Sequence, residues 1–150
     1  MTAPESVRPL AGVVVARWDA VREEARAIRY DVFVIEQGVP VELEWDEWDD
    51  QCWHALAHDT AGRAVATGRL LPDGHIGRMA VRKEARGTGV GARVLEALID
   101  KAQSLGYPEL ILNAQTHAMP FYSRAGFTAE GEEFEEAGIP HRTMRRVLTR

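Results

Sequence analysis

The stretch Arg86-Gly87-Thr88-Gly89-Val90-Gly91 concentrates the residue types that receive phosphate. Glycines let successive backbone N–H groups turn toward one point, and the start of a following helix adds partial positive charge, so the segment reads as a pyrophosphate receptor. A glycine run alone is equally a flexible loop; Arg86 and the amphipathic stretch beyond it favour the anion site. Spacing narrows the ligand. A Walker-type loop needs a Gly-Lys pair, whereas Lys83 and Lys101 follow Arg82 and Asp100, which disfavours ATP and GTP. Gly87, Gly89 and Ala92 satisfy the dinucleotide pattern G-x-G-x-x-A, but that loop should follow the first strand directly, with an acidic residue ~20 positions on. Here three strands and the polar run Arg82 to Arg86 come first, so a nicotinamide-binding domain is a rival reading only.

Other chemistry-bearing residues point less far. His54 and His58 have the spacing of a zinc helix, but on a strand residues four apart lie ~13 Å apart, and no metal is expected. Cys52 is the single cysteine, with Asp49 and Asp50 favouring its thiol form, so it reads as an inert packed residue. The segment Glu42 to Asp50 reads as either a solvated acidic loop or a short helix over the core; its cluster Glu42, Glu44, Asp46, Glu47, Asp49 and Asp50 could attract a cationic acceptor, although such runs are usually solvated faces. The basic run Arg142, Arg145, Arg146 and Arg150 reads first as an exposed strand edge.

The elements that position these residues follow from periodicity. A strand is expected over Val13 to Trp18, then a helix capped by Asp19, with Val21, Ala25, Ile28, Val32 and Ile35 on one buried face and Gly38 and Pro40 ending it. Trp53 to His58 and Ala64 to Leu71 flank the turn Asp59-Thr60-Ala61-Gly62 as a hairpin, and Asp73-Gly74 leads into a third strand, His75 to Val81. Val94, Leu95, Leu98, Ile99, Ala102 and Leu105 mark a second long helix before the strand Glu109 to Asn113. That unit is long enough for a crossover joining parallel neighbours. A short helix at Pro120 to Arg124 and closing strands Phe127 to Phe134 and Thr143 to Leu148 complete a mixed α/β fold. Its sheet should be mostly antiparallel with one parallel pair and flanking helices.

Composition excludes several roles. The chain has 150 residues, 45% hydrophobic and 27% charged, with 18 basic against 23 acidic side chains. One domain over residues 1–150 is expected, with enough core to need no staples. The net charge of −5 argues against nucleic acid as a partner. No apolar stretch approaches the ~20 residues of a membrane helix, and the start Met1-Thr-Ala-Pro lacks a secretory pattern, so the cytoplasm is the expected location. Oligomeric state is not readable, a homodimer being allowed.

Taken in order, the motifs resemble the GNAT family of N-acetyltransferases. Arg86, Gly89 and Gly91 match its signature at a helix start, Met79-Ala80-Val81 resembles the strand that pairs with the pantetheine arm of acetyl-CoA, and Asn113 ends the next strand. Phe121-Tyr122-Ser123-Arg124-Ala125-Gly126-Phe127 looks like the family's second motif. Arg29-Tyr30-Asp31-Val32-Phe33-Val34-Ile35-Glu36-Gln37, with Pro40, Glu42, Asp46 and Asp49 and the late Gly138-Ile139-Pro140-His141, is similar to the ElaA-type branch. One departure is Lys83, where many relatives carry Pro.

The resemblance implies a GNAT-like fold and acetyl transfer from acetyl-CoA to the amine of a small molecule. It also implies cofactor contacts at Met79, Ala80, Val81, Arg86, Gly87, Thr88, Gly89, Val90, Gly91, Asn113 and Tyr122. An N–H near Ala80 or Val81 would face the acetyl oxygen if the strand bulges. Tyr122 is the candidate general acid for the departing thiolate; its alternative role is a packed aromatic. An alkyl amine is only ~1 part in 10³ neutral at about pH 7, a handicap of roughly 4 kcal/mol that a base or desolvation must offset. Glu36, whose neighbours Val34 and Ile35 should raise its pKa, is the candidate base, with His117 and His141 as rivals and a water relay as a route needing none of them. A non-catalytic acyl-CoA sensor remains the alternative function.

Overall fold

The structure is a computed structural model that describes residues 12–148. The amino-terminal segment read for a leader and the basic Arg150 lie outside the described residues. β1 (Gly12–Arg17) runs straight into α1 (Trp18–Arg29), with no side chain capping the junction. Asp19, expected as the cap, instead lies inside the first turn because no loop separates strand from helix; its charge still complements the helix dipole there.

The chain then widens its helical turn. Tyr30–Glu36 is π-helical, and Gln37 N–H donates to Val32 O at 3.0 Å across five residues. The extra residue per turn shifts the phase of the buried face. Val21, Ala25, Ile28 and Val32 are buried as the spacing predicts, but Ile35 swings out to 65% exposure while Phe33 packs inward.

The acidic segment follows as α2 (Val41–Glu44) and a 3₁₀ turn, Glu47–Gln51, capped by Asp46. Glu42, Glu47 and Asp50 are exposed, whereas Glu44, Asp46 and Asp49 fold inward. Arg29 of α1, buried to 1% exposure, bonds Glu44 at 2.5 Å and both oxygens of Asp49 at 3.0 and 3.1 Å. Arg69 reaches Asp49 at 2.9 Å and holds both oxygens of Asp46 at 2.8 Å, and Arg78 adds a bond to Asp46 at 3.1 Å. Three buried or half-buried arginines thus neutralise Glu44, Asp46 and Asp49, so the short helix over the core describes this side of the segment, and the solvated face is confined to Glu42, Glu47 and Asp50. His54 joins the same cluster. Its Nε2 donates to Asp49 O at 2.9 Å, its ring lies 4.6 Å from that of Trp18, and burial lowers its pKa, keeping it neutral. Burial also pushes the Cys52 thiol up to about 11.

β2 (Trp53–His58), β3 (Ala64–Leu70) and β4 (His75–Val81) form the expected antiparallel meander, with β1 on β2. α3 (Val90–Ser104) crosses to β5 (Glu109–Gln115), which lies parallel to β4. After α4 (Met119–Arg124) come β6 (Thr128–Glu136) and β7 (Ile139–Val147). The sheet is seven-stranded in the order β1-β2-β3-β4-β5-β7-β6, antiparallel except at β4–β5. α1 covers one face and α3 the other, so all seven residues of β3 are buried.

Two expectations about the last hairpin change. Ala137 and Gly138, with φ of 53° and 78°, make a tight two-residue reversal, so β7 begins at Ile139 instead of Thr143. His141 is therefore a strand residue paired with Gln115, not a turn residue. β7 also lies between β5 and β6, so Arg142, Arg145 and Arg146 do not form an outer edge.

Candidate active site

The glycine segment folds as a loop onto the start of α3. Gly87 and Gly89 take φ of 82° and 87°, a region open to glycine at little cost, and Gly89 supplies no side chain to cap the helix. The first N–H groups of α3 are therefore available to an external acceptor. At Gly91 a Cβ would come within 3.3 Å of Val81 and 3.5 Å of the Phe121 ring, so glycine lets helix, strand and α4 approach. Against this loop lies a cavity of about 710 Å³. Val81, Arg86, Gly87, Gly89, Val90 and Gly91 line it, whereas Met79, Ala80, Thr88, Asn113 and Tyr122 do not.

Arg93, Arg124 and Arg146 also line the cavity and had not been singled out for it. Arg93 lies one turn beyond the glycine loop on α3, Arg124 lies in the Phe121 to Phe127 motif at the end of α4, and the signal for Arg146 was alternation. Met144 is buried in the core against α3, and Arg146 lies two residues on, on the same face of β7, where its Nη1 donates to Ala125 O at 2.8 Å. Three cations and a ring of backbone N–H groups fit a polyanionic ligand.

Beside the cavity the sheet splits. β4 and β5 pair only at His75–Ile111 and Ile76–Leu112 and then diverge. A bulge at Arg78, with φ of 50°, places an extra β4 residue opposite Gly68 of β3. Beyond it Met79 packs on the α3 side and Ala80 on the α1 side. Arg82 N–H donates to Val65 O at 2.8 Å, so by strand alternation the N–H and C=O of Val81 point away from β3 into the split. The bulge on which an N–H facing the acetyl oxygen was conditional is present.

The candidate acid and bases are distributed around the split. Tyr122 is packed edge-on against Phe121 and Phe127, and burial pushes its hydroxyl up to about 12. Glu36 is bound through both oxygens by Arg86, at 2.5 and 2.6 Å. Hydrogen bonding to that guanidinium lowers its pKa against the opposing effect of burial, reversing the upward shift expected from Val34 and Ile35. The cause is the π-helical turn, which aims Glu36 at a cation and sends Ile35 into solvent.

His141 is buried, stacks on Phe134 with centroids 5.9 Å apart, and donates from Nδ1 to Ile139 O at 2.7 Å. A carbonyl only accepts, so Nδ1 carries a proton, while Nε2 has no hydrogen-bond partner among the described residues. Across the β5–β7 ladder stands Gln115, whose amide exchanges bonds with Gln37 at 3.1 and 3.3 Å and bonds His117 at 2.8 Å. Two residues along the ladder, Asn113 accepts from the Thr143 hydroxyl at 3.0 Å. Gln37 lay within the stretch that resembles the ElaA-type branch, but Gln115 carried no sequence signal beyond polarity. Among the described residues, no group of three or more His, Cys, Asp or Glu side chains is arranged for a metal ion, and no helix is long and apolar enough to cross a membrane.

An anion-receiving helix start set against a split parallel pair is the architecture of acyl-CoA-dependent transferases, and the comparisons place the chain among them. A family model described as Acetyltransferase (GNAT) domain matches residues 19–148, and the chain belongs to that family. It is 39% identical over 135 residues to the N-acetyltransferase YjcF of Bacillus subtilis (strain 168), covering 87% of this chain and 96% of the relative. An acyl-CoA N-acyltransferase from Pseudomonas aeruginosa superposes with a TM-score of 0.80 at 31% identity, covering 93% of this chain and 100% of that one. Escherichia coli ElaA does so with a TM-score of 0.79 at 27% identity, covering 92% and 99%. The fold and family expected from the motifs hold.

Proposed function

We propose that the chain works as one catalytic domain that moves an acetyl group from acetyl-CoA to the primary amine of a small molecule, by direct attack through a tetrahedral intermediate. The observation that carries this reading is the bulged, unpaired end of β4 beside the cationic cavity. Backbone N–H groups between Arg86 and Gly91 receive the pyrophosphate, with Arg93, Arg124 and Arg146 supplying countercharge. The open edge of β4 at Met79, Ala80 and Val81 receives the pantetheine arm, and Asn113 borders it from β5. Acetyl-CoA supplies the thioester.

Val81 N–H, aimed into the split, donates to the oxygen that becomes an oxyanion. His141, with Nε2 free, takes the amine proton. Tyr122 donates a hydrogen bond to the departing thiolate; a hydroxyl pushed up to about 12 stays protonated and available as that donor. Gln37, Gln115 and Asn113 line the side from which the amine arrives.

The test is free-thiol release from acetyl-CoA with a panel of polyamines, amino sugars, amino acids and peptide N-termini. Thiol release with at least one amine is expected. Tight CoA binding with no turnover on any of them would favour the non-catalytic sensor instead.

A further inference from the structure

We propose that Glu36 is a positioning residue that acts through Arg86 on the catalytic edge of β4. The inference rests on the acetyl-transfer reading above. Arg86 spends its guanidinium on two neighbours: Nε donates to Val81 O at 3.1 Å, and the two terminal nitrogens bind the two oxygens of Glu36 at 2.5 and 2.6 Å. A guanidinium is planar and its donors are fixed relative to one another, so holding one side fixes the other. Val81 is the last residue of β4, where β5 has already diverged, so its carbonyl has no ladder partner on that side. Arg86 takes that carbonyl, and Glu36 holds Arg86 in place. The peptide plane so fixed carries the carbonyl of the residue whose N–H is the oxyanion donor.

The same arrangement occurs a second time nearby. Asp31, on the same π-helical turn, pairs with Arg82, whose Nε donates to Ala64 O on β3 at 3.1 Å. In both cases a carboxylate of the turn holds an arginine, and the arginine holds a strand carbonyl. The difference is location: Arg82 grips the side away from the split and Arg86 the side facing it. The turn bearing Glu36 is itself joined to β5 through Gln37 and Gln115. Glu36 therefore ties the acceptor side to the cofactor loop and the end of β4. With both of its oxygens engaged by a cation, it is not the base.

Glu36→Gln and Arg86→Gln should each lower kcat about tenfold, since the donor is loosened and not removed. The double variant should fall no further than the worse single variant, because both act through one contact chain. The Kd for CoA should stay within about threefold in each, and Asp31→Asn should keep kcat within about twofold. The pH profile of kcat in Glu36→Gln should retain both wild-type limbs. Loss of a limb, multiplicative effects in the double variant, an equal fall in Asp31→Asn, or a tenfold loss of CoA affinity in Arg86→Gln with kcat intact would each overturn the proposal. Hydrogen exchange on the ligand-free protein gives a readout that needs no turnover. Residues 79–82 should exchange faster in Glu36→Gln than in wild type, and unchanged exchange there sinks the clamp even where no acceptor amine has been found.

Discussion

In the proposed mechanism Tyr122 and His141 divide the proton chemistry according to their surroundings. Burial among Phe121, Phe127 and the α3 core raises the tyrosine hydroxyl to about 12, so it stays protonated at any working pH and can donate. His141 is oriented oppositely, its Nδ1 proton tied to Ile139 O and its other nitrogen free. Tyr122→Phe should therefore lower kcat and leave the CoA Kd nearly unchanged, and His141→Ala should lower kcat by about 10²-fold or more. Steady-state kinetics alongside calorimetric CoA titration measures both; an unaltered kcat removes the residue concerned from the mechanism. Tyr122 was legible because it lies in a local motif with Phe121 and Phe127. The lowered pKa of Glu36 was not, because its cause, Arg86, is fifty residues away in sequence.

The segment from α1 through the 3₁₀ turn at Glu47–Gln51 shows what packing does to a run of acids. Asp46 illustrates it: burial alone would raise its pKa, but the hydrogen bonds and charge of Arg69, then the charge of Arg78, outweigh burial and bring it to about 2 from 3.8. Asp49 is lowered in the same way by Arg29 and Arg69. A carboxyl depressed on folding stabilises the protein fully above its unfolded pKa, and that stability is lost as pH falls through the folded value. Thermal melts should thus hold steady down to about pH 5 and decline between about pH 4 and pH 2. Asp46→Asn should melt lower near neutral pH and show a shallower acid-side decline; an unchanged decline would show that the network is not its source. Nothing local in Glu42 to Asp50 reveals this burial, since its partners Arg29, Arg69 and Arg78 come from α1, β3 and β4.

At the scale of the whole molecule, the cavity at the start of α3 gathers Arg86, Arg93, Arg124 and Arg146 on a chain of net charge −5, which suits a polyanionic nucleotide. A ligand that binds only the folded state at about 100 times its Kd stabilises by about 2.7 kcal/mol. Acetyl-CoA and CoA should therefore raise the melting temperature measurably, and NADH should not; stabilisation by NADH alone would overturn the cofactor assignment. The strand and helix order, the glycine loop and the parallel crossover were all legible in the sequence, because each rests on periodicity or turn chemistry within about 30 residues. The split of β4 from β5, the pairing of the acids with buried arginines, the clamp from Glu36 to Val81 and the placing of Arg146 in the cavity were decided only by the tertiary structure. Each depends on side chains or strands distant in sequence meeting across the sheet, and local pattern carries no information about the distance between elements once they have packed.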